Sequence, residues 1–144
     1  MTADRTRSGC PVSLGLDLFG DRWTLLIIRD LMFGGKRHFR ELLSSAEGIS
    51  SNVLADRLQM LVASGLISRS GDQTHRQKVI YRLTQQGIDL LPILLEITRW
   101  SLKYRPVSDD DRRAAAAAPA DQRELDRLTA KLTREHLGDP APVS

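Results

Sequence analysis

The sequence predicts a mainly α-helical fold of the α+β class, in which several helices accompany one two-stranded β-hairpin. Apolar residues recur at helical spacing over most of the 144-residue chain. Two short runs rich in β-branched and aromatic residues enclose a polar loop, which is typical of a hairpin. A single cysteine excludes an internal disulfide framework. The fold must therefore depend on a hydrophobic core, which a chain of this length can form.

Two helices are expected near the N-terminus. Residues 1–9 are polar and are expected to form a mobile arm. Pro11 suits the first turn of a short helix that ends at Phe19. A second helix, from Trp23 to Phe33, is apolar on nearly every side, which predicts that it is the buried central helix of the domain.

The clearest helical pattern runs from about residue 50 to residue 64, after a short helix at residues 39–45. Serine and asparagine side chains at its start are good helix caps. At about 100° per residue, its leucines fall on one narrow face and polar residues occupy the opposite face. The leucines are Leu54, Leu58 and Leu61.

The hairpin and a long helix follow. Strands are expected at residues 66–69 and 79–83. Thr84 can cap a helix that runs towards Tyr104, in which Pro92 should cause a kink or a split. Apolar residues cover most sides of this helix, which indicates burial on most sides. In a domain this small, the sequence predicts that a second copy of the chain covers part of it.

Charge is distributed unevenly along the chain. The first 107 residues hold 15 Lys and Arg against 10 Asp and Glu, whereas residues 108–144 hold 6 against 8. We therefore expect a basic domain at residues 10–107, followed by a mildly acidic tail at 108–144 with two helices separated by Pro119. A basic domain is compatible with nucleic-acid binding but does not establish it.

This order of elements is that of a winged helix-turn-helix domain, in which one helix enters the major groove of DNA and the hairpin reaches phosphates or the minor groove. Polar residues of the candidate recognition helix are Ser50, Ser51, Asn52, Asp56, Arg57 and Gln59. A candidate phosphate-binding cluster precedes it, at Lys36, Arg37, His38 and Arg40. The hairpin tip offers His75, Arg76 and Lys78. Each of these side chains could instead be merely solvated.

A series of short motifs extends over residues 10–104: CPV at 10–12, GDRWTLLIIRDL at 20–31, RHFREL at 37–42, GIS at 48–50, GLI at 65–67 and YRLT at 81–84. In this order they resemble the HxlR-type regulators, which are bacterial winged helix-turn-helix transcription factors related to the MarR class. The resemblance implies a homodimer, formed through the first and last helices of the domain, on a near-palindromic operator. It also implies DNA contacts from Asn52, Arg57 and the wing. Relatives often carry a proline pair in the wing, where this chain has Arg76 and Gln77.

Cys10 matches a cysteine that some members of this family use to sense electrophiles or oxidants. The chemistry requires a thiolate, which a helix N-terminus or basic neighbours favour. With one cysteine, oxidation can give only a sulfenic acid, a mixed disulfide or a disulfide between subunits. The alternative interpretation is a small, inert residue packed at the dimer interface.

The sequence also bears on two other functions, effector binding and catalysis. A small-molecule effector could bind a pocket at the dimer interface, with Trp23, Leu94, Ile97 and Trp100 as candidate lining residues, although such apolar residues are more often core. No set of nucleophile, base and orienter is visible, and the histidines lie in separate elements. We therefore expect no enzyme, cofactor or metal site.

The sequence shows no signal peptide and no apolar run long enough to span a membrane, which predicts a cytoplasmic protein without membrane contact. Its expected partners are double-stranded DNA and a second copy of the chain. The main alternative is a winged-helix module that binds another protein and does not read DNA directly.

Overall fold

The computed structural model describes residues 8–71 and 78–138. In chain order the elements are α1 (Pro11–Phe19), α2 (Thr24–Met32), α3 (Phe39–Leu43), α4 (Ser51–Ala63), β1 (Ile67–Gly71), β2 (Val79–Leu83), α5 (Gln85–Ile88), α6 (Leu91–Tyr104), α7 (Asp109–Ala115) and α8 (Gln122–Leu137). This confirms the predicted mainly α-helical fold with one hairpin. None of the described helices has the length and apolar character needed to cross a membrane.

Helix α2 lies at the centre of the core, as its apolar sequence predicts. It contacts α1, α3 and β2, and Ile28 and Leu31 have no exposed surface. The Asp21 carboxylate caps the start of α2, because its Oδ2 accepts the backbone N–H groups of Trp23 and Thr24 at 2.9 and 3.1 Å. The start of this central helix is therefore fixed by one polar residue, Asp21, which precedes an apolar run.

Strand β2 makes hydrogen bonds along both of its edges. It pairs antiparallel with β1, with Ile67 opposite Leu83. On the other edge, the backbone N–H of Tyr81 donates to the carbonyl oxygen of Arg37 at 2.7 Å. The next N–H on that edge, that of Leu83, donates to Nδ1 of His136 at 3.0 Å. The segment before α3 and the helix α8 are thus both joined to β2.

The helix expected after Thr84 is divided in two. The hydroxyl of Thr84 accepts the backbone N–H of Gly87 at 3.2 Å and caps the short helix α5. Helix α6 then begins with Pro92 in its first turn, where the missing N–H of proline leaves no hydrogen bond unmade. This confirms the prediction that Pro92 kinks or splits the helix.

Both predicted tail helices form, and α8 packs onto the domain against β2 and α5. Leu132 is 1% exposed and belongs to the hydrophobic core. Two further leucines of α8 pack against that core, Leu125 and Leu128. His136 is buried as well, and this burial, together with the charge of Arg37, lowers the pKa of His136 to about 4. The imidazole is therefore neutral near pH 7 and accepts the Leu83 N–H.

We predict that Leu132→Ala lowers the free energy of unfolding by about 2–5 kcal/mol, because it removes a buried side chain and leaves a cavity. The control is Leu137→Ala on the same helix, where the side chain is 48% exposed and the change should stay within about 0.5 kcal/mol. Urea unfolding followed by circular dichroism measures both. Equal stability of the two variants would contradict the docking of α8.

Candidate nucleic-acid interface

Helix α4 buries its leucine face and exposes a polar face. Leu54, Leu58 and Leu61 are at most 2% exposed. The helix begins where Ser50 Oγ accepts the backbone N–H of Val53 at 3.2 Å. The exposed polar residues of the predicted recognition helix are Ser50, Ser51, Asn52, Asp56 and Gln59. The structure therefore leaves these side chains accessible, and Ser50, Ser51 and Asn52 lie at the N-terminus of the helix, where backbone N–H groups also favour anions.

Arg57 lies on the flank of α4 between two carboxylates. Its Nε is 3.1 Å from Asp21 Oδ2, and its Nη1 donates to Asp56 Oδ2 at 3.1 Å. Because Asp21 also begins α2, Arg57 joins the recognition helix to the central helix. The side chain of Arg57 is 31% exposed, although its Nε is buried.

The structure divides the predicted basic cluster at residues 36–40. Lys36 Nζ lies 3.4 Å from Asp30 Oδ2. Arg37 Nη1 donates to the carbonyl oxygens of Leu31 and Lys36 at 2.9 and 2.8 Å, and burial lowers the pKa of Arg37. Arg40 is exposed on α3. Arg40 therefore points to solvent, whereas Lys36 and Arg37 bind a carboxylate and carbonyl oxygens of the domain itself.

A cleft of about 530 Å³ lies between the start of α3 and β2. It brings together His38 and Arg40 from one element with Lys78 from the base of the hairpin. The remaining lining residues are Phe39, Glu41, Val79 and Tyr81. His38 Nδ1 lies 3.0 Å from Glu41 Oε1 at the helix start. The predicted wing residues His75 and Arg76 lie outside the described residues.

An ion-pair network holds the turn between α3 and α4. Arg29 of α2 donates from Nη1 and Nη2 to the two carboxylate oxygens of Glu47, both at 2.8 Å. Ser45 Oγ donates to the same carboxylate at 2.7 Å. Hydrogen bonds from Arg29 and Ser45 lower the pKa of Glu47 to about 2. We did not predict this network from the sequence. The adjacent Arg29 and Asp30 within an otherwise apolar helix do indicate ion pairs at this place.

Cys10 is exposed at the N-cap of α1. Backbone N–H groups of Ser13 and Val12 lower the pKa of its thiol. A helix N-terminus stabilises a thiolate in this way, because unpaired N–H groups carry partial positive charge. Within the single chain, the thiol is therefore accessible rather than packed.

Helices α1 and α6 carry exposed apolar side chains. On α6 these are Ile93, Ile97, Trp100 and Tyr104, which are 36–60% exposed. On α1 they are Val12, Leu14 and Leu16.

The four candidate ligand-pocket residues do not line one common pocket in the single chain. Trp23 and Leu94 pack against the core, whereas Ile97 and Trp100 line an open groove of about 460 Å³ on α6.

The chain is similar to proteins of the helix-turn-helix type. The HxlR-like helix-turn-helix family matches residues 18–109. The chain is 39% identical over 98 residues to Rv3095 of Mycobacterium tuberculosis, named an uncharacterized HTH-type transcriptional regulator, over 68% of this chain. The match covers 61% of Rv3095, so the chain spans about three fifths of that relative's length.

Two solved structures share the fold. PA1607 has a TM-score of 0.66 at 36% identity, over 74% of this chain and 73% of that chain. Reduced YodB from Bacillus subtilis, an HTH-type transcriptional regulator, has a TM-score of 0.56 at 30% identity, over 71% of this chain and all of that chain. YodB is also known in quinone-bound and diamide-treated forms.

We predict that Cys10 reacts with a thiol-alkylating reagent at lower pH in the folded chain than in the urea-unfolded chain, because only the folded helix supplies the N–H groups that lower its pKa. The rate of iodoacetamide modification, measured from about pH 6 to about pH 10, gives the midpoint in each state. The unfolded chain is the matched control, since it carries the same single thiol. Coincident midpoints would contradict thiolate stabilisation at α1.

Proposed function

The chain belongs to the HxlR-like helix-turn-helix family, and on this premise we propose that it is a sequence-specific, DNA-binding transcriptional regulator that acts as a homodimer on a near-palindromic operator. The observation that carries the proposal is helix α4, which is anchored by leucines, capped at its N-terminus and polar on its exposed face. A helix of this kind fits the major groove with its N-terminal side chains towards the base edges.

Base reading is assigned to the exposed face of α4. The amide groups of Asn52 and Gln59 can each make two hydrogen bonds with adenine, and the Asp56 carboxylate can accept from cytosine. Arg57 can reach DNA from the flank while Asp21 holds it. A module that binds protein alone would favour an acidic or apolar face here. A face with two amides, serines and one carboxylate supports DNA instead.

Phosphate binding is assigned to the cleft beside α3. Arg40 and Lys78 supply exposed positive charges, and His38 adds a hydrogen-bonding ring. Lys36 and Arg37 are proposed to position this segment rather than to contact phosphate, since Asp30 and backbone carbonyl oxygens engage them. Wing contacts by His75 and Arg76 remain predictions from the sequence.

Dimerisation is assigned to α1 and α6. Apolar side chains exposed to water along a helix are unfavourable in free energy, and a second copy can cover them. A twofold-symmetric dimer places two recognition helices on two half-sites, which is why the operator is expected to be near-palindromic. The open groove at Ile97 and Trp100 is a candidate site for a small apolar effector at this interface.

A response to electrophiles or oxidants is assigned to Cys10. Its thiolate sulfur would attack the electrophile, and with a single cysteine the product is an adduct, a sulfenic acid or a disulfide to another molecule. The quinone-bound and diamide-treated forms of YodB support this chemistry in a related protein. The alkylation rate of Cys10 tests its first requirement, a thiolate accessible near neutral pH.

We predict that Asn52→Ala and Arg57→Ala each weaken specific DNA binding by about 1–3 kcal/mol, because each removes a contact to a base or its phosphate. Fluorescence anisotropy measures this on a duplex from upstream of the chain's own gene that the wild type prefers over scrambled DNA. Gln85→Ala removes an exposed amide on α5 and is the control. Wild-type affinity in both α4 variants would contradict the assignment.

We predict that Trp100→Asp converts the wild-type dimer into a monomer of 16.1 kDa, because a carboxylate cannot be buried unpaired in an apolar interface. Sedimentation equilibrium measures the mass. Phe33→Asp changes another exposed apolar side chain, outside α1 and α6, and should leave the dimer intact. A monomeric wild type would exclude the homodimer, and a dimeric Trp100→Asp would place the interface elsewhere.

A further inference from the structure

Helix α8 has two opposite faces. At about 100° per residue, its four basic residues other than histidine fall within an arc of about 80°. They are Arg123, Arg127, Lys131 and Arg134, which we term the basic stripe, and all four are exposed. The opposite face holds Leu125, Leu128, Leu132 and His136, which pack towards the domain. Docking of the apolar face therefore directs the basic stripe to solvent.

At about 100° per residue, the three acidic residues of α8 fall outside the arc of the basic stripe, on its two sides. Two of these acids serve local hydrogen bonds, since Glu124 accepts the backbone N–H of Ala120 at 2.6 Å and Asp126 accepts from Gln122 at 2.8 Å. Glu135 lies 4.0 Å from Lys131. In the described part of the chain, the three arginines of the stripe make no ion pair. A row of four exposed basic side chains is therefore present on a tail of mildly acidic composition.

The C-terminal end of α8 lies close to the candidate DNA interface. Leu132 and His136 fix its C-terminal half to β2. His136 at the end of α8 and the Arg37 carbonyl oxygen accept neighbouring N–H groups of the same β2 edge, which places the end of α8 close to the segment leading into α3. That segment continues directly into the cleft with His38 and Arg40.

We propose that the basic stripe of α8 binds the sugar-phosphate backbone of duplex DNA beside the half-site that α4 reads. This inference rests on the proposed function, to which it adds a second, sequence-independent contact surface. From Arg123 to Arg134 the stripe is about 16 Å long at about 1.5 Å per residue, which matches the axial length of about five base pairs. Charge complementarity and the nearby cleft favour DNA over an acidic protein surface as the occupant.

The test measures how the affinity for DNA depends on salt. The variant Arg127→Gln/Lys131→Gln removes two stripe charges and keeps helix-forming side chains. Arg112→Gln/Arg113→Gln removes two charges from α7 and is the matched control. Ala130→Lys adds a charge at an exposed position at the edge of the stripe. Fluorescence anisotropy on a duplex of about 40 base pairs of arbitrary sequence, over about 0.05–0.3 M KCl, gives the slope of log affinity against log salt.

We expect the slope to become shallower by about 0.9 for each phosphate that the stripe variant no longer neutralises, and steeper in Ala130→Lys. The α7 control should keep the wild-type slope. Circular dichroism melts verify that every variant folds.

Two results would overturn the proposal in distinguishable ways. Equal slopes in the stripe variant and the α7 control, with Asn52→Ala still weakening specific binding, would reject the stripe alone. Such a result would leave an acidic protein as its occupant. A wild type without salt-dependent binding to duplex DNA would reject both the stripe and the proposed function.

Discussion

The outer edge of β2 joins the parts of the molecule from which the candidate interface is built. Two of its N–H groups, those of Tyr81 and Leu83, donate to the Arg37 carbonyl oxygen and to His136. Leaving a buried N–H without a partner costs about 1–3 kcal/mol, so each acceptor is strongly required. One edge therefore fixes the segment that leads into α3, the base of the hairpin and the docked tail helix. The cleft beside α3 and the basic stripe of α8 both depend on it.

Positive charge in this domain has two uses, and the structure separates them. Arg29, Lys36 and Arg37 lie partly buried, where they pair with carboxylates or carbonyl oxygens and hold turns in place. Arg40 and Lys78 remain accessible. Net charge along the sequence is consequently a poor guide to the binding surface, since a basic segment supplies structural ion pairs while an acidic tail supplies an exposed basic stripe.

The features that could be predicted from the sequence depend on residues that are close to one another along the chain. The serine cap and leucine spacing of α4, and the proline that divides α5 from α6, act within a few turns of helix, so they are readable without the fold. The inward direction of Arg37 and the burial of His136 depend on partners in other elements, Leu31 and Leu83. Neither partner has a sequence motif of its own. The cleft likewise requires Arg40 and Lys78 to meet across the sheet edge, which spacing alone does not encode.

In the proposed function, α4 reads DNA sequence as part of a symmetric dimer. Selection of bound duplexes from a random-sequence pool, followed by sequencing, tests this claim even while the operator is unidentified. We expect enrichment of one near-palindromic motif with half-sites about 10 base pairs apart, or a multiple of that spacing, and no such enrichment with Asn52→Ala. Recovery of unenriched sequences at low salt, with equal affinity for every duplex, would contradict sequence-specific reading by α4.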